Sequence, residues 1–318
     1  MKKLFYPAAL KPNDMVALTA PSSPVSEKDL KIAVKSLKSL GLKPIIMDSC
    51  HQSHGYLSGH DKQRADDLNR AFSDKRIKGI FCLRGGYGSA RLLPLLDFNS
   101  IKNNPKFFIG YSDITALHIS INKLCGFITF HGPMPSSDYT RLDSFTMDSM
   151  KNFLFSPHHP IILKNPCGEY VKFLNPETAK YSPCCKTTEN KSIISGIVTG
   201  GNLSLITSTL GSPYEINTKN KILFIEEIGE SPYRLDRAFT SLALSGKFRD
   251  CSAIILGTFS KCEDMSKTSL SLPEIIGEVI LPWKKPTLFN LRAGHIYPQI
   301  TIPIGGEILI NVDNNHNN

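Results

Sequence analysis

The sequence lacks the features that mark membrane, secreted and zinc-bound proteins. Its 318 residues contain no apolar run close to the roughly 18 residues of a membrane-spanning helix. The apolar stretch behind the basic N-terminus ends at Lys11, too early for the core of a secretory signal. The eight cysteines include no C-x-x-C pair and match no zinc-ribbon spacing. We therefore expect a cytoplasmic protein with reduced thiols and no membrane segment.

Concentrated positive charge is also missing, although the chain is basic overall. Lys and Arg number 37 against 28 Asp and Glu, a net charge of +9, but they are scattered and do not alternate with aromatic residues. Nucleic-acid binding is therefore disfavoured. A diffuse positive field suits the steering of a small anionic substrate toward a cleft, or it is simply a soluble basic surface. With 41% hydrophobic and 20% charged residues, the composition excludes fibrous and disordered chains.

Strand-like segments alternate with helical patterns in the first half of the chain. The apolar runs of strand length are 16–20, 43–47, 79–83 and 107–111. Each is followed by a turn and by apolar residues at helical spacing. This alternation predicts an α/β fold with a parallel sheet covered on both faces. Ligands bind beyond the carboxyl ends of such strands, so the loops after residues 20, 83 and 111 are expected to converge on a site.

The second half of the chain has less regular patterns of apolar residues than the first. Residues 136–190 are rich in proline and weakly periodic, which predicts a linker that faces the substrate. From 191 to 312, strand-like and helical segments return with less regularity and predict a smaller, mixed α/β domain. The expected division is therefore 1–135, 136–190 and 191–312.

A serine stands between the fourth predicted strand and the next helix, in the segment GYSDIT at 110–115. A tight strand-to-helix turn exposes the Ser112 hydroxyl and points the following N–H, that of Asp113, toward a developing oxyanion. The segment departs from the G-x-S-x-G pattern at its last position. A helix cap formed by Ser112 or Asp113 is the competing interpretation.

A glycine-rich turn, RGGYG at 84–88, follows the third predicted strand. It lacks the Gly-Lys-Ser/Thr ending of a phosphate-binding loop, but its amides are suited to a second oxyanion donor or an anion cradle. Arg84 adds a guanidinium that can bind a carboxylate through two parallel bonds, or that pairs structurally with Asp97. An ordinary glycine turn is the alternative.

A nucleophilic serine needs a base and an orienting carboxylate. Glu226 and Glu227 directly follow an apolar strand, and His295 lies in a turn between apolar segments. Successive side chains of a strand face opposite ways, so one glutamate can face His295 and the other is expected in a surface or inter-element salt bridge. The histidines at 51, 54 and 60 lack a fourth ligand, so we expect no metal.

Five blocks of sequence together resemble the LD-carboxypeptidase family, which comprises muramoyltetrapeptide carboxypeptidases and related microcin-immunity peptidases. In chain order they are RGGYG at 84–88, GYSDIT at 110–115, GGNL at 200–203, FIEEIGE at 224–230 with PYRLDR at 232–237, and GH at 294–295 followed by Pro298 and TIPIG at 301–305. The resemblance runs in order across most of the chain, from Val16 to Gly305, which makes it more specific than any single block.

The resemblance implies a role for each matching residue. Ser112 is implied as nucleophile, His295 as general base, Glu226 as the carboxylate that orients the base, and Gly86 and Asp113 as oxyanion-hole amides, with Arg84 and Asn202 as substrate-binding candidates. It also implies a flavodoxin-like N-terminal domain and a homodimer, and the proposed chemistry needs neither cofactor nor metal.

The activity implied is release of the terminal D-amino acid from anionic murein tetrapeptides in the cytoplasm, during peptidoglycan recycling. An alternative substrate is a peptide-nucleotide antibiotic, whose base stacks on an aromatic within 165–190 in the microcin-immunity branch. Tyr170, Phe173 and Tyr181 lie there, but the single tryptophan, Trp283, does not, which favours the cell-wall peptide. The alternative from another class is a non-enzymatic two-domain binder, in which Ser112 merely contacts a small molecule.

Overall fold

The computed structural model describes residues 4–156, 161–179, 182, 184–187, 191–263 and 268–313. The chain packs into two units, Met1–His158 with Tyr297–Gly306 and His159–Ile296 with Glu307–Asn318. The division at 135 and 190 stays a prediction about domains. None of the helices in the described part of the chain has both the length and the apolar character to span a bilayer.

Strands and helices alternate through the first unit. They are β1 (Met15–Thr19), α1 (Glu27–Ser39), β2 (Lys43–Ile46), α2 (Asp61–Ser73), β3 (Ile77–Cys82), α3 (Phe98–Asn103), β4 (Phe107–Gly110), α4 (Thr115–Cys125), β5 (Thr129–His131) and α5 (Ser144–Phe155). Short 3-10 turns occupy Asp48–His51, Ser89–Leu95, Ser112–Ile114 and Pro135–Ser137. The four strands predicted in this half are present within a residue or two of their expected bounds.

The remaining elements belong to the second unit, apart from one strand. They are β6 (Ile161–Leu163), β7 (Lys172–Phe173), α6 (Pro176–Ala179), β8 (Cys185–Thr187), β9 (Lys191–Asn202), α7 (Leu203–Ser208), β10 (Ile222–Ile228), α8 (Pro232–Leu244), α9 (Lys247–Asp250), β11 (Ala253–Ser260), α10 (Leu272–Ile275), β12 (Thr287–Phe289), β13 (Ile302–Ile304) and β14 (Glu307–Asp313). A π-turn at Ile276–Ile280 and a 3-10 turn at Leu281–Trp283 precede β12. Strand β13 lies in the first unit.

The first sheet has the strand order β13-β5-β4-β3-β1-β2. Its pairs are parallel except for β13, which runs antiparallel to β5. The order of β2, β1, β3, β4 and β5 is that of flavodoxin-like folds. Every residue of β4 and all but one of β3 are buried, as expected for a parallel sheet covered on both faces.

The second sheet is mixed. Its order is β6-β14-β9-β10-β11-β12-β7, with β8 paired to β9. Strands β9 to β12 are mutually parallel, whereas β14 and β8 run antiparallel to β9 and β7 runs antiparallel to β12. A mostly parallel sheet in the first unit and a mixed sheet in the second confirm the predicted α/β fold class.

The segment predicted as a linker is structured where it is described. Asp143 caps α5 by accepting a hydrogen bond from the Thr146 N–H at 2.8 Å. Met150 and Leu154 of that helix are fully buried. Farther along, β6 and β7 join the second sheet. The prediction of a linker gave weight to the prolines of this segment and overlooked the helical spacing of apolar residues at 147–154.

Candidate active site

Ser112 occupies a strained turn at the carboxyl end of β4. Its φ is +64°, a left-handed conformation that costs a residue other than glycine roughly 1–3 kcal/mol. The side chain is half-buried, and α4 begins three residues later at Thr115. The residue that caps α4 is Ile114, without a side-chain hydrogen bond, so the expected alternative of a cap formed by Ser112 or Asp113 is not realised. A strained strand-to-helix turn is the geometry that presents a serine nucleophile.

Asp113 connects three loops beside Ser112 through hydrogen bonds. Its Oδ2 accepts a hydrogen bond from Ser22 Oγ at 2.5 Å and from the Ser89 N–H at 2.8 Å. Ser89 Oγ also donates to the Asp113 carbonyl. Ser22 follows β1 and Ser89 follows β3, so the loops after residues 20, 83 and 111 converge as predicted.

The glycine turn lies against Ser112. A side chain at Gly85 would put its Cβ 2.9 Å from Ser112 Cβ and 3.0 Å from Ser112 Oγ. At Gly86, where φ is +119°, a Cβ would overlap the Ser23 hydroxyl. The Tyr87 N–H donates to Ser23 Oγ at 3.2 Å. Glycine is therefore required for this backbone to approach Ser112, and Gly85 is a contact that the sequence did not single out.

Arg84 is exposed at the start of the same turn, and its Nη1 donates to the Pro24 carbonyl at 3.3 Å. The alternative pairing with Asp97 is not found among the described residues. Asp97 instead caps α3 by accepting a hydrogen bond from the Ser100 N–H at 2.9 Å. The substrate-binding role of Arg84 stays a prediction.

A buried histidine lies behind the serine turn. His118 Nε2 donates to the Gly110 carbonyl at 2.9 Å, and burial lowers the pKa of His118 to about 4. The unfolded chain therefore binds a proton between about pH 6.5 and pH 4 that the native protein does not. We expect the free energy of unfolding to fall as the pH drops through that range, by up to about 3 kcal/mol from this residue.

Chemical denaturation of the wild type and His118→Gln at several pH values measures this effect. The Gln amide keeps a donor for Gly110, and the difference in stability between the two proteins should change with pH in the stated range. His51→Gln, at an exposed position, should follow the wild type. A pH-independent difference at His118 would contradict the prediction.

In the second unit, Glu226 and His295 form a close pair. His295 Nδ1 lies 2.8 Å from Glu226 Oε2, and the glutamate side chain is completely buried while the histidine side chain is 14% exposed. Burial raises the pKa of the Glu226 carboxyl, and the hydrogen bond from His295 opposes that rise. Because an ionised carboxylate only accepts hydrogen bonds, Nδ1 carries the proton of this bond and Nε2 is the basic nitrogen of the ring.

A bulge in β11 lies opposite Glu226. Strand β10 pairs in register with β11 up to Ile225 and resumes at Glu227, so that Gly257 and Thr258 together face Glu226. One extra residue bends a strand locally and redirects its side chains. A Cβ at Gly257 would lie 3.3 Å from Glu226 Cβ, so the bulge leaves just enough room for the buried carboxylate.

The same bulge holds the turn that carries His295. The Thr258 N–H and the Thr258 hydroxyl each donate to the Ala293 carbonyl at 3.0 Å. Gly294 follows with φ +112°, and a Cβ there would lie 2.6 Å from the Glu226 carboxylate. A glycine at 294 therefore lets the backbone pass close to Glu226, which brings the next side chain, His295, onto that carboxylate.

Glu227 has a different environment from the one expected. It is 3% exposed, its Oε1 accepts from Asn202 Nδ2 at 2.7 Å, and its Oε2 accepts from the Ser204 N–H at 2.8 Å and the Ser204 hydroxyl at 2.7 Å. The expectation of a surface or inter-element salt bridge is wrong, because the start of α7 covers this position. The two glutamates nevertheless face different main partners, His295 for Glu226 and Ser204 for Glu227, as strand alternation predicts.

Asn202, the other substrate-binding candidate, is buried in this network. Besides donating to Glu227, its side chain caps α7 by accepting a hydrogen bond from the Leu205 N–H at 3.3 Å. Both ends of the amide therefore have protein partners. The substrate-binding role of Asn202 stays a prediction.

The polar loop around His51 does not assemble a metal site in the part of the chain that the structure describes. No group of three or more His, Cys, Asp or Glu residues is placed to hold an ion there. The rings of His54 and His60 lie 4.2 Å apart, centroid to centroid. All eight cysteines are free thiols.

Both halves of the chain match models of one protein family. Residues 16–132 match the LD-carboxypeptidase N-terminal domain, and residues 195–310 match the LD-carboxypeptidase C-terminal domain. The chain is 37% identical over 308 residues to the probable murein peptide carboxypeptidase of Bacillus subtilis, covering 96% of this chain and 92% of that protein. It is 31% identical over 310 residues to a putative carboxypeptidase of Streptomyces coelicolor, covering 96% and 93%.

Solved structures share the fold. The microcin C7 self-immunity protein MccF matches with a TM-score of 0.83 and 26% identity over 98% of each chain. Muramoyltetrapeptide carboxypeptidase from Oxalobacter formigenes matches with a TM-score of 0.74 and 28% identity over 92% of this chain and 93% of that chain. The chain therefore belongs to the LD-carboxypeptidase family, and it is a serine-type carboxypeptidase, a hydrolase of peptide bonds.

Proposed function

We propose that Ser112, His295 and Glu226 form a catalytic triad that removes the terminal D-amino acid from murein tetrapeptides. The observation that carries this proposal is the 2.8 Å contact between His295 Nδ1 and a fully buried Glu226 carboxylate. A protonated Nδ1 donates to that carboxylate, and this tautomer leaves Nε2 as a base. The strained backbone of Ser112 supports its role as the nucleophile.

In this mechanism, His295 Nε2 accepts the proton of the Ser112 hydroxyl as Oγ attacks the carbonyl carbon of the last peptide bond. The N–H groups of Gly86 and Asp113 stabilise the oxyanion that forms. His295 then protonates the leaving amine, and the D-amino acid departs. Water, deprotonated by His295, hydrolyses the ester on Ser112 and restores the enzyme.

Glu226 acts on His295 rather than on the substrate. Its negative charge stabilises the imidazolium that forms when the serine proton moves, and the low dielectric around a buried carboxylate strengthens this interaction. The bulge in β11 and the glycine at 294 fix the direction of the hydrogen bond.

The substrate is assigned from the relatives and from charge. A relative named as a probable murein peptide carboxypeptidase and a structural neighbour named as a muramoyltetrapeptide carboxypeptidase both support a cell-wall peptide. A net charge of +9 favours the approach of an anionic peptide, and the exposed guanidinium of Arg84 is our candidate for binding its terminal carboxylate. Peptidoglycan recycling in the cytoplasm by a homodimer is part of this proposal.

A peptide-nucleotide substrate is the second candidate, because MccF matches with the higher TM-score and one of its structures holds aspartyl sulfamoyl adenosine. Of the aromatic residues expected to stack on the base, Phe173 is 7% exposed within β7 and Tyr170 is 43% exposed. Tyr181 lies outside the described residues. Tyr170 is exposed enough to stack on a base, but Phe173 is buried and the segment 165–190 contains no tryptophan, so the cell-wall peptide is favoured. The alternative of a non-enzymatic binder is excluded because the chain belongs to a family of carboxypeptidases.

One experiment distinguishes the two substrates. The enzyme is incubated separately with a mixture of murein tetrapeptides and with aspartyl sulfamoyl adenosine, and products are followed by mass spectrometry, with Ser112→Ala as the control. We expect loss of the terminal D-amino acid from the tetrapeptides. Faster cleavage of the adenylate analogue would assign the second function instead.

Activity is expected to be independent of metal ions, because serine attack assisted by His295 and Glu226 requires none. Prolonged dialysis against a strong chelator should leave the rate of D-amino acid release unchanged, while a zinc peptidase treated in parallel loses activity. Loss that is restored by adding zinc would contradict the serine mechanism.

A further inference from the structure

A buried arginine outside the proposed triad binds two of the loops beside Ser112. Arg64 extends from α2, and its side chain is completely buried. Nη1 donates to the carbonyls of Pro21 and Gly88, the latter at 3.1 Å, while Nη2 donates to Asp61. Pro21 lies in the loop after β1 and Gly88 in the glycine turn after β3. One guanidinium thus joins the two loops.

Burial of such a group is costly unless its donors are satisfied. Removal of a cation from water costs several kcal/mol, which only well-placed acceptors offset. The planar guanidinium presents its donors in a fixed fork, so it can bind two carbonyls and a carboxylate simultaneously, whereas an ammonium group lacks that geometry. The position therefore favours arginine over lysine.

Two further hydrogen bonds connect the same two loops at a point nearer to Ser112. The Ser23 N–H donates to the Gly85 carbonyl at 3.4 Å, and Ser23 Oγ accepts from the Tyr87 N–H at 3.2 Å. Gly86 lies between Gly85 and Tyr87, which make these two hydrogen bonds, and it packs so closely on Ser23 that no side chain fits at this position. The direction of the Gly86 N–H thus depends on where the loop after β1 is held.

We propose that Arg64 is a positioning residue for the oxyanion hole, which fixes the Gly86 N–H by holding the Pro21 and Gly88 carbonyls on one guanidinium. The inference rests on the proposed function, since it requires that Gly86 donates to the oxyanion. Arg64 touches no reacting atom in this role. It acts through the loop after β1 and the glycine turn.

Arg64→Lys is expected to lower kcat by roughly 10- to 100-fold with little change in KM, because a displaced oxyanion donor weakens binding of the transition state more than that of the substrate. The matched control is Arg91→Met. Arg91 binds the same Asp61 from the exposed side, with Nη2 2.7 Å from Oδ2, and among the described residues its side chain donates to neither the Pro21 nor the Gly88 carbonyl. Arg91→Met should keep kcat and KM.

The decisive readouts are the kcat and KM of both variants and the rate at which a fluorophosphonate labels Ser112, measured below the melting temperature. Labelling needs the nucleophile and the oxyanion hole but not the natural substrate. It should slow in parallel with kcat for Arg64→Lys. A purely structural role for Arg64 would lower the melting temperature and leave the labelling rate of the folded protein unchanged.

The outcomes separate the two proposals. If the wild type is not labelled at Ser112, the proposed function fails and this inference fails with it. If the wild type is labelled and Arg64→Lys is labelled equally fast with unchanged kcat, only the role of Arg64 is overturned. Should Arg64→Lys melt below the assay temperature, Asp61→Asn weakens the anchor of the guanidinium and must lower kcat at constant KM, or the inference is overturned.

Discussion

Ser112→Ala is expected to abolish release of the terminal D-amino acid while the protein stays folded. Removal of a serine nucleophile costs about 10⁶-fold in kcat in a well-studied serine protease, and we expect a loss of that order here. The hydroxyl is half-buried in a turn, so its removal leaves no large cavity. Mass spectrometry of the products and calorimetric melting measure both effects. Turnover near that of the wild type in the alanine variant would contradict the mechanism.

A glycine at the same position separates chemistry from strain. Ser112→Gly should be as inactive as Ser112→Ala, yet at least as stable as that variant, because φ of +64° is unstrained only for glycine. If the alanine variant is instead the more stable one, the strain described for this turn is not present in solution.

Glu226→Gln is expected to lower kcat by orders of magnitude, up to about 10⁴-fold, with the fold intact. An amide carries no charge to stabilise the imidazolium, and its NH₂ group can favour the wrong tautomer of His295. Kinetics at one pH, compared with the wild type, give the size of the effect. Chemical denaturation of the same variant shows whether the loss arises from unfolding.

Glu227→Gln is the matched control for this variant. Glu227 has the same volume as Glu226 and is also buried, but its partners are Asn202 and Ser204 rather than His295. The NH₂ end of the glutamine cannot accept a hydrogen bond, so the bonds from Ser204 or the bond from Asn202 must be lost. We therefore expect a stability loss of about 1–3 kcal/mol and little change in kcat. A larger kinetic loss at Glu227 than at Glu226 would transfer the orienting role to Glu227.

The main strands of the first sheet were predictable because each is a continuous apolar run closed by a turn. Strand β5 was not, since it has only three residues. The segment of β13, interrupted by Pro303, is strand-like in the sequence, but its place in the first sheet was not predictable. Nothing local indicates that Ile302 pairs with His131, far back along the chain. Short strands of this kind are defined by their partner rather than by their own pattern.

In the candidate site, too, some residues were predictable from the sequence and others were not. Ser112, Glu226 and His295 lie in segments that resemble motifs of the family, so the sequence was enough to propose them as site residues. The side chains that support them were not predictable: Arg64 lies in a helix that looks solvent-facing, and Ser22 meets Asp113 only after three strands have paired. The burial of Glu227 was missed because alternation along a strand does not tell what covers its second face.

The return of β13 to the first sheet constrains the order in which the protein can fold during synthesis. The first sheet stays incomplete until residues 302–304 leave the ribosome, after the strands from β6 to β12 have been made. Until then β5 is an open edge, with backbone groups available for pairing with another chain. A fragment that stops at 158 would keep that edge permanently, so the half of the chain that contains Ser112 is a poor candidate for separate expression.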